Sequence, residues 1–320
     1  MARTAITGAA SAIAENFARS GETGGLAAGF AGTRRRTIVD FVIQQPLGVI
    51  GLVIIVTLFF AAIFASTVAP YDPEAVDFMA SPALGAGQPS SEHLLGADAF
   101  GRDILSRLIF GARTALSIGF FSAFIGCSLG AIIGSVSAFW GGRADIFIQR
   151  AIDLMLSFPI IVLAILVIAI VPKNVVFGID INVIIAISIP FIPKCARVIR
   201  SAALSIVTLA YIDAAKAAGY SERRIIFRHI LPNVVAPYLI LITAYIGQAI
   251  LLEASLSFLG LGVVEPTPSW GLMLAGVNSD YYLTAPWMII FPGLAVTLAV
   301  FAFNLLGDSM RDWLDPKLKI

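Results

Sequence analysis

The sequence predicts an all-α polytopic membrane protein with six transmembrane helices and a structured cytoplasmic loop between the fourth and the fifth. Three observations predict it. The chain is 58% hydrophobic and only 13% charged over 320 residues, with a mean hydropathy of +0.92, whereas a soluble domain is about half apolar and about a quarter charged. So large an apolar excess cannot be hidden in one water-soluble core, and lipid is the solvent for most of the chain. Six separate segments are mostly apolar over the about 20 residues that a spanning helix needs. Finally, Lys and Arg are concentrated in alternate connections.

From the N-terminus, residues 1–43 read as a cytoplasmic tail and residues 44–320 as one membrane domain. Met1 to Thr33 is rich in Ala, Gly and Ser and lacks the positive-then-apolar order of a secretory signal. Arg34, Arg35 and Arg36 fit a topological anchor at the membrane face better than a nucleic-acid patch. A net charge of +1 sets up no global field for nucleic acid.

The first span runs from about Leu47 to Val68, opened by Pro46 and closed near Pro70. The second, from about Thr114 to Trp140, carries Gly119, Gly126, Gly130 and Gly134. Glycines four apart share a helix face and let another helix approach closely. The third runs from about Ile146 to Val171. The fourth, from about Ile181 to Ile199, contains Pro190 and Pro193, so a kink is expected. The fifth runs from about Val234 to Leu261 and the sixth from about Trp287 to Leu306. Cys127 and Cys195 sit in apolar runs without metal-like spacing and read as small packing residues.

With the tail inside, 17 of the 21 Lys and Arg lie on the cytoplasmic side. Only Arg102, Arg107, Arg113 and Lys173 lie outside. This bias places both termini in the cytoplasm. The segment joining the fourth and fifth spans, Ser201 to Pro232, is then the largest inner connection. It reads as a helix from Ile206 to Ala218, with Asp213 and Lys216 three apart on its surface. Gly219 follows as a C-cap. Ser221 is placed to cap a second helix, Glu222 to Ile230, which Leu231 and Pro232 end. Ala214, Ala215, Ala217 and Ala218 leave room for another surface to press close. An amphipathic pattern cannot name its partner, so a hairpin lying on lipid and a docking element for another protein are both open at this point.

Asp213-Ala214-Ala215, Gly219 and Leu231-Pro232-Asn233 resemble the "EAA" loop of ABC importer permeases: Glu-Ala-Ala, three residues, Gly, nine residues, Ile, one residue, Leu-Pro. The spacing matches throughout. Asp213 stands for the Glu and His229 for the Ile, and the His is similar to the peptide and nickel branch. Three further stretches resemble the "C" subunit of dipeptide and oligopeptide permeases. The first is His93 to Asp98 with Gly101-Arg102-Asp103 and Ser106-Arg107. The second is Glu253 to Met273, containing Ser257 to Gly262 and Pro266 to Gly271. The third is Asn304 to Asp308 with Arg311-Asp312 and Leu314-Asp315-Pro316. The resemblance runs from roughly Gln44 to the C-terminus.

The resemblance implies a type I ABC importer permease fold in the bacterial inner membrane. It implies a pathway shared with a second, "B"-type permease, two ATPase subunits that bind ATP and Mg, and an extracytoplasmic solute-binding protein. The substrates it implies are peptides, or nickel or opine-like solutes. Ser201 to Pro232 becomes the coupling loop, with Asp213, Ala214, Ala215, Gly219, His229, Leu231 and Pro232 as its ATPase-facing set. No cofactor or metal is expected in this chain.

Single residues carry paired readings. Glu253 lies inside an apolar run, where ionisable groups usually face a bundle interior or a wet cavity. It either serves the pathway or the permease interface, or snorkels to the outer headgroups. Arg102, Asp103 and Arg107 either contact the binding protein or form a local ion network that shapes the outer loop. Asp153 reads as a partner of Arg150 or a neighbouring base. His93 and His229 lie on opposite sides of the membrane and cannot share a metal.

Other function classes lack their residues. An intramembrane hydrolase needs a nucleophile with a base, or His-Glu-x-x-His, and neither is present. A secondary transporter is expected to show paired half-repeats. A self-contained pump needs Gly-x-x-x-x-Gly-Lys-Ser/Thr, and the chain has no Gly-Lys pair. The charge bias makes a direct prediction. Single cysteines at Ser90 and Ser221, in a background without Cys127 and Cys195, label from opposite sides of the membrane. Equal access of an impermeant reagent to both positions in intact cells rules out the six-span arrangement.

Overall fold

The computed structural model describes residues 43–176 and 179–314. Of the expected tail, residues 1–42 lie outside the described residues, as do Asp315 and Pro316. The chain divides into the units Met1–Gln44 and Gln45–Ile320, and all elements named here belong to the second. Helix α1 (Pro46–Ile63) opens on a proline, whose missing N–H costs nothing at a helix start, and is followed by the single turn α2 (Ala65–Val68). The outer loop then leads to α3 (Ile104–Trp140). The bent pair α4 (Gly142–Leu156) and α5 (Ile160–Ile170) follows, then a two-residue hairpin, β1 (Val175–Val176) antiparallel to β2 (Ile179–Asp180). Helix α6 (Ile181–Val207) returns inward.

Beyond α6 come α7 (Ala210–Ala217), the short α8 (Glu222–Ile225) and the long α9 (Val235–Phe258). A single turn, α10 (Trp270–Met273), lies in the second outer loop, and α11 (Trp287–Leu314) closes the described chain.

Among the described residues, five helical runs are long and apolar enough to cross a membrane: Pro46–Ile63, Ile104–Trp140, Ile181–Val207, Glu222–Phe258 and Trp287–Trp313. The sixth expected crossing is made differently. The run read as one span from Ile146 to Val171 breaks at Ser157–Pro159, and α4 and α5 meet at 93°. Pro159 removes a donor and blocks helical continuation. At about 1.5 Å per residue, the 11 residues of α5 cover about 16 Å, short of a bilayer core of about 30 Å. Helix α4 therefore lies across the inner end of α6: Asp145 accepts from Arg200 at 2.6 and 2.5 Å, and Asp153 pairs with Arg197 and, at 3.9 Å, with Arg150. Helix α3 begins ten residues before the expected start of the second span, because Asp103 caps it by accepting from the Ser106 N–H at 2.8 Å.

Helices α3 and α6 form the centre. Val183, Ile187, Phe191, Cys195, Ile199 and Ala203, each four residues after the last, are all fully buried. They meet a face of α3 made of small residues. A Cβ on Gly126 would lie 2.6 Å from the Ser188 carbonyl, and one on Gly130 would lie 2.7 Å from both the Ile192 carbonyl and Cys195 Cβ. Gly119 faces α9 instead, against Ile250. Helix α6 stays continuous through Pro190 and Pro193, both buried. Cys195 Sγ donates to the Cys127 carbonyl at 3.2 Å, and both thiols are free and buried. Helices α9, α11 and α1 pack around this pair. Helix α1 leaves Leu47, Val53, Phe60 and Ile63 more than half exposed, as suits a lipid-facing helix.

Gly130→Val puts a side chain where two backbones touch. Overpacking of this kind costs about 1–3 kcal/mol, and a lowered thermal unfolding midpoint in detergent is the expected result. Gly293→Ala, whose new Cβ would find its nearest neighbour at 3.9 Å, leaves the midpoint unchanged.

Candidate functional site: the loop between α6 and α9 and the ion network

The loop from Ser201 to Pro232 is built on an apolar edge turned toward the body of the protein. Ile212, Ile225, Ile226, Ile230 and Val234 are buried, and so is Ala215, whereas Asp213, Ala214, Ala217, Ala218 and Gly219 are exposed. Ala215 therefore seats α7 on the body of the protein and offers no outer contact, a correction to its expected role. Asp213 and Lys216 pair at 3.6 Å across the exposed surface, and the Lys216 ammonium lies 5.5 Å over the Phe139 ring. The helix expected from Ile206 to Ala218 is two pieces. Helix α6 ends at Val207, and α7 starts afresh at Ala210.

The end of α7 is a Schellman turn. The Gly219 N–H donates to the Lys216 carbonyl at 2.9 Å and the Tyr220 N–H to the Ala215 carbonyl at 3.1 Å. Closing both bonds requires the left-handed conformation at Gly219, φ +76°, which a residue with a Cβ adopts at a cost. A Cβ at Gly219 would meet nothing within 4 Å, so conformation alone demands the glycine.

The second half departs from the sequence reading. Ser221 occupies the N-cap position of α8, but its side chain makes no cap bond. Leu231 and Pro232 do not end the helix. A π-helical turn, Ile226–Ile230, and a 3₁₀ turn, Leu231–Val234, carry the chain without a break into α9, giving the single run Glu222–Phe258. Pro232 has no N–H for an α-type bond, and the wider turn takes up the mismatch. The freed His229 carbonyl accepts from Asn233 Nδ2 at 2.6 Å. The half-buried His229 ring lies 6.1 Å from Tyr220 and 6.3 Å from Tyr211. Leu231 is partly buried and Pro232 exposed. The Trp140 indole N–H donates to Glu222 at 3.0 Å, tying the loop to the inner end of α3.

On the outer face, Arg102, Asp103 and Arg107 are 6%, 3% and 0% exposed. They are enclosed in a network and present no docking surface, which corrects the contact reading in favour of the local one. Arg102 donates to Asp98 at 2.7 Å and to both Glu265 oxygens at 2.7 and 3.2 Å. Arg107 reaches Glu265 at 3.4 Å and the Pro73 carbonyl at 3.1 Å. Asp103 bonds His93 at 3.0 Å and Ser106 Oγ at 2.7 Å. Burial pulls the Glu265 carboxyl up, but Arg102 and Arg107 outweigh it and hold it below the usual range.

Glu253 is fully buried and neither snorkels nor opens onto a pathway or partner surface here, a further correction. Its Oε1 accepts from Ser257 Oγ at 2.8 Å and Ser269 Oγ at 2.7 Å, and Ser257 Oγ accepts from the Val263 N–H at 3.1 Å. The carboxyl thus pins the second outer loop back onto α9. In lipid a carboxyl is tolerated only with such internal partners. Sequence reasoning missed Asp98, Glu265 and Ser269. Asp98 and Ser269 lie in the outer-loop motifs, 4 and 16 positions from the partners they hold, Arg102 and Glu253, whereas Glu265 meets Arg102 across 163 positions.

This arrangement defines a class. Residues 128–320 match the family described as binding-protein-dependent transport system inner membrane components, and residues 42–86 match the N-terminal TM domain of oligopeptide transport permease C. The chain is 42% identical over 271 residues to a putative peptide transport system permease protein of Brucella suis biovar 1, covering 85% of this chain and 88% of that one. It is 41% identical over 276 residues to the dipeptide transport system permease protein DppC of Alkalihalophilus pseudofirmus, covering 86% and 88%. It is 42% identical over 277 residues to the glutathione transport system permease protein GsiD of Pectobacterium atrosepticum, covering 87% and 89%. The chain belongs to the family of binding-protein-dependent transport system inner membrane components. Within it, the chain is a C-type ABC importer permease, an inner membrane protein.

The network predicts a pH dependence. A carboxyl held below its unfolded value of about 4.3 contributes stability that is complete above that pH and is lost as pH falls through the folded value. Thermal midpoints of the purified protein should therefore fall with acidification in that window. Glu265→Gln should lower the midpoint at neutral pH, through a stability loss of about 1 kcal/mol at most because the group is half exposed, and flatten the acid dependence.

Proposed function

We propose that this chain forms one half of the translocation pathway of a peptide importer and takes its energy from separate ATPase subunits docked on the loop from Ser201 to Pro232. The observation that carries the reading is the exposed bend at Gly219. A helix bearing Asp213, Ala214 and Ala217 on its outer side ends in a turn that only glycine closes without strain. Buried isoleucines behind it join it to the spans. A surface that presses on Ala214, Ala217 and Gly219 can approach at backbone distance, and its displacement reaches α6 and α9 through Ile212, Ile226 and Ile230. ATP and Mg are held by the ATPase partners in this reading. A second, "B"-type permease completes the pathway, and a solute-binding protein delivers substrate from outside. Both termini are cytoplasmic. Peptides are favoured over nickel and opine-like solutes because relatives at 41–42% identity carry peptide, dipeptide and glutathione transport names.

Gly219→Val tests the bend. The left-handed conformation costs a residue with a side chain roughly 1 kcal/mol or more, and the site itself has open space, so the subunit still inserts and folds. Peptide uptake should fall at least about tenfold, the factor that 1.4 kcal/mol represents. The ATPases should either dissociate or hydrolyse ATP without responding to loaded binding protein. Wild-type uptake with normal stimulation would refute the coupling role.

A further inference from the structure

Outside the network and the loop from Ser201 to Pro232, a cavity of about 810 Å³ opens between α2 and the segment after it, the Phe110–Ser117 stretch of α3, and the chain at Ile179 and Thr267–Pro268. Its walls carry Asp72, Glu74 and Arg113, with Ser66, Thr114 and Ser117 between them. We propose that it is a receiving site for zwitterionic short peptides on the outer side of the pathway, the amino end held by Asp72 and Glu74 and the carboxylate by Arg113. The assignment rests on the peptide reading above.

Three features carry it. The first is unpaired charge. Arg113 donates to the Ala62 carbonyl at 2.8 Å and the Ile63 carbonyl at 3.3 Å, both neutral groups at the end of α1. Among the described residues, neither Arg113 nor Asp72 nor Glu74 forms an ion pair. Charges of both signs thus line one cavity without neutralising each other, whereas the neighbouring Asp98, Arg102, Arg107 and Glu265 pair with one another. A ligand with separated opposite charges completes what the walls leave open.

The second is wetness. Thr114 and Ser117 lie on one side of α3, a turn below Phe110, and their hydroxyls make no hydrogen bond among the described residues. Hydroxyls left without partners are costly against hydrocarbon, so this wall faces water. The third is size. Small-molecule sites run about 300–1,000 Å³, and this volume holds a few peptide residues. Tyr71 and Phe110 add aromatic surface for side chains.

The test uses the complete transporter, with its partner permease, ATPases and binding protein, in phosphatidylglycerol vesicles. Ser117→Cys is introduced, and its rate of modification by an impermeant cationic methanethiosulfonate is read from the outer side. The thiol should react, and millimolar dialanine should slow it at least about fivefold. Asp72→Asn with Glu74→Gln should abolish this protection, as should Arg113→Gln, while the complex stays assembled by size-exclusion chromatography. An unreactive thiol overturns the assignment, as does protection that survives loss of the charges. Protection by added phosphatidylethanolamine but not by dialanine overturns it in favour of a lipid headgroup. If wild-type vesicles accumulate none of dialanine, tetraalanine and glutathione, the peptide reading itself fails and the site assignment with it. Uptake with an inert or unprotected thiol removes only the site.

Discussion

The rest of the structure depends on how closely α3 approaches α6. Helices in lipid gain no hydrophobic drive from meeting, so they associate through packing that small residues make tight. Here an unbroken i,i+4 stripe on α6, from Val183 to Ala203, meets backbone on α3 because Gly126, Gly130 and Gly134 present no side chain. That contact determines where the two ends of α3 fall. At the inner end Trp140 reaches Glu222 and Phe139 lies under Lys216. At the outer end Asp103 and Arg107 enter the ion network.

The two faces of the membrane use charge in opposite ways. In the outer-loop network Asp98, Arg102, Asp103 and Arg107 are buried and paired, as buried ions must be to offset desolvation, and the half-exposed Glu265 joins both arginines. Glu253 follows the same logic one layer deeper, holding the second outer loop through two serines. Inside, pairs such as Asp213–Lys216 are exposed and worth little. The cytoplasmic loop is held in place by buried isoleucines and a glycine turn, which leaves its charged surface free for a partner.

Much of this was legible in the sequence, and the exceptions have physical causes. Apolar runs and positive charges report directly on solvent and side, so the helical class and most spans are plain. Gly219 was readable as a C-cap because a helix end has local chemistry. The early start of α3 was not foreseen, although Asp103 and Ser106 have N-cap spacing, since polar residues before an apolar run read as loop. The 93° bend at Ser157–Pro159 was hidden because hydropathy averages over direction. Glu253, Arg102 and Arg107 each had two readings, and only contacts from distant loops decide between them. Pro232 reads as a helix stop, but a π-helical turn absorbs it.

Helix α6 passes unbroken from the hairpin β1–β2 to the loop before α7, and its 27 residues span about 40 Å at the α-helical rise. A Cβ on Gly126, Gly130 or Gly134 would fall within 2.7 Å of an α6 carbonyl, at Ser188, Ile192 and Ala196 in turn. Three successive turns of the two helices are thus keyed together with no slack between them. Close-packed interiors transmit strain rather than absorb it, so a push on either end of α6 is borne by α3 as well, and the two helices act as one rigid member.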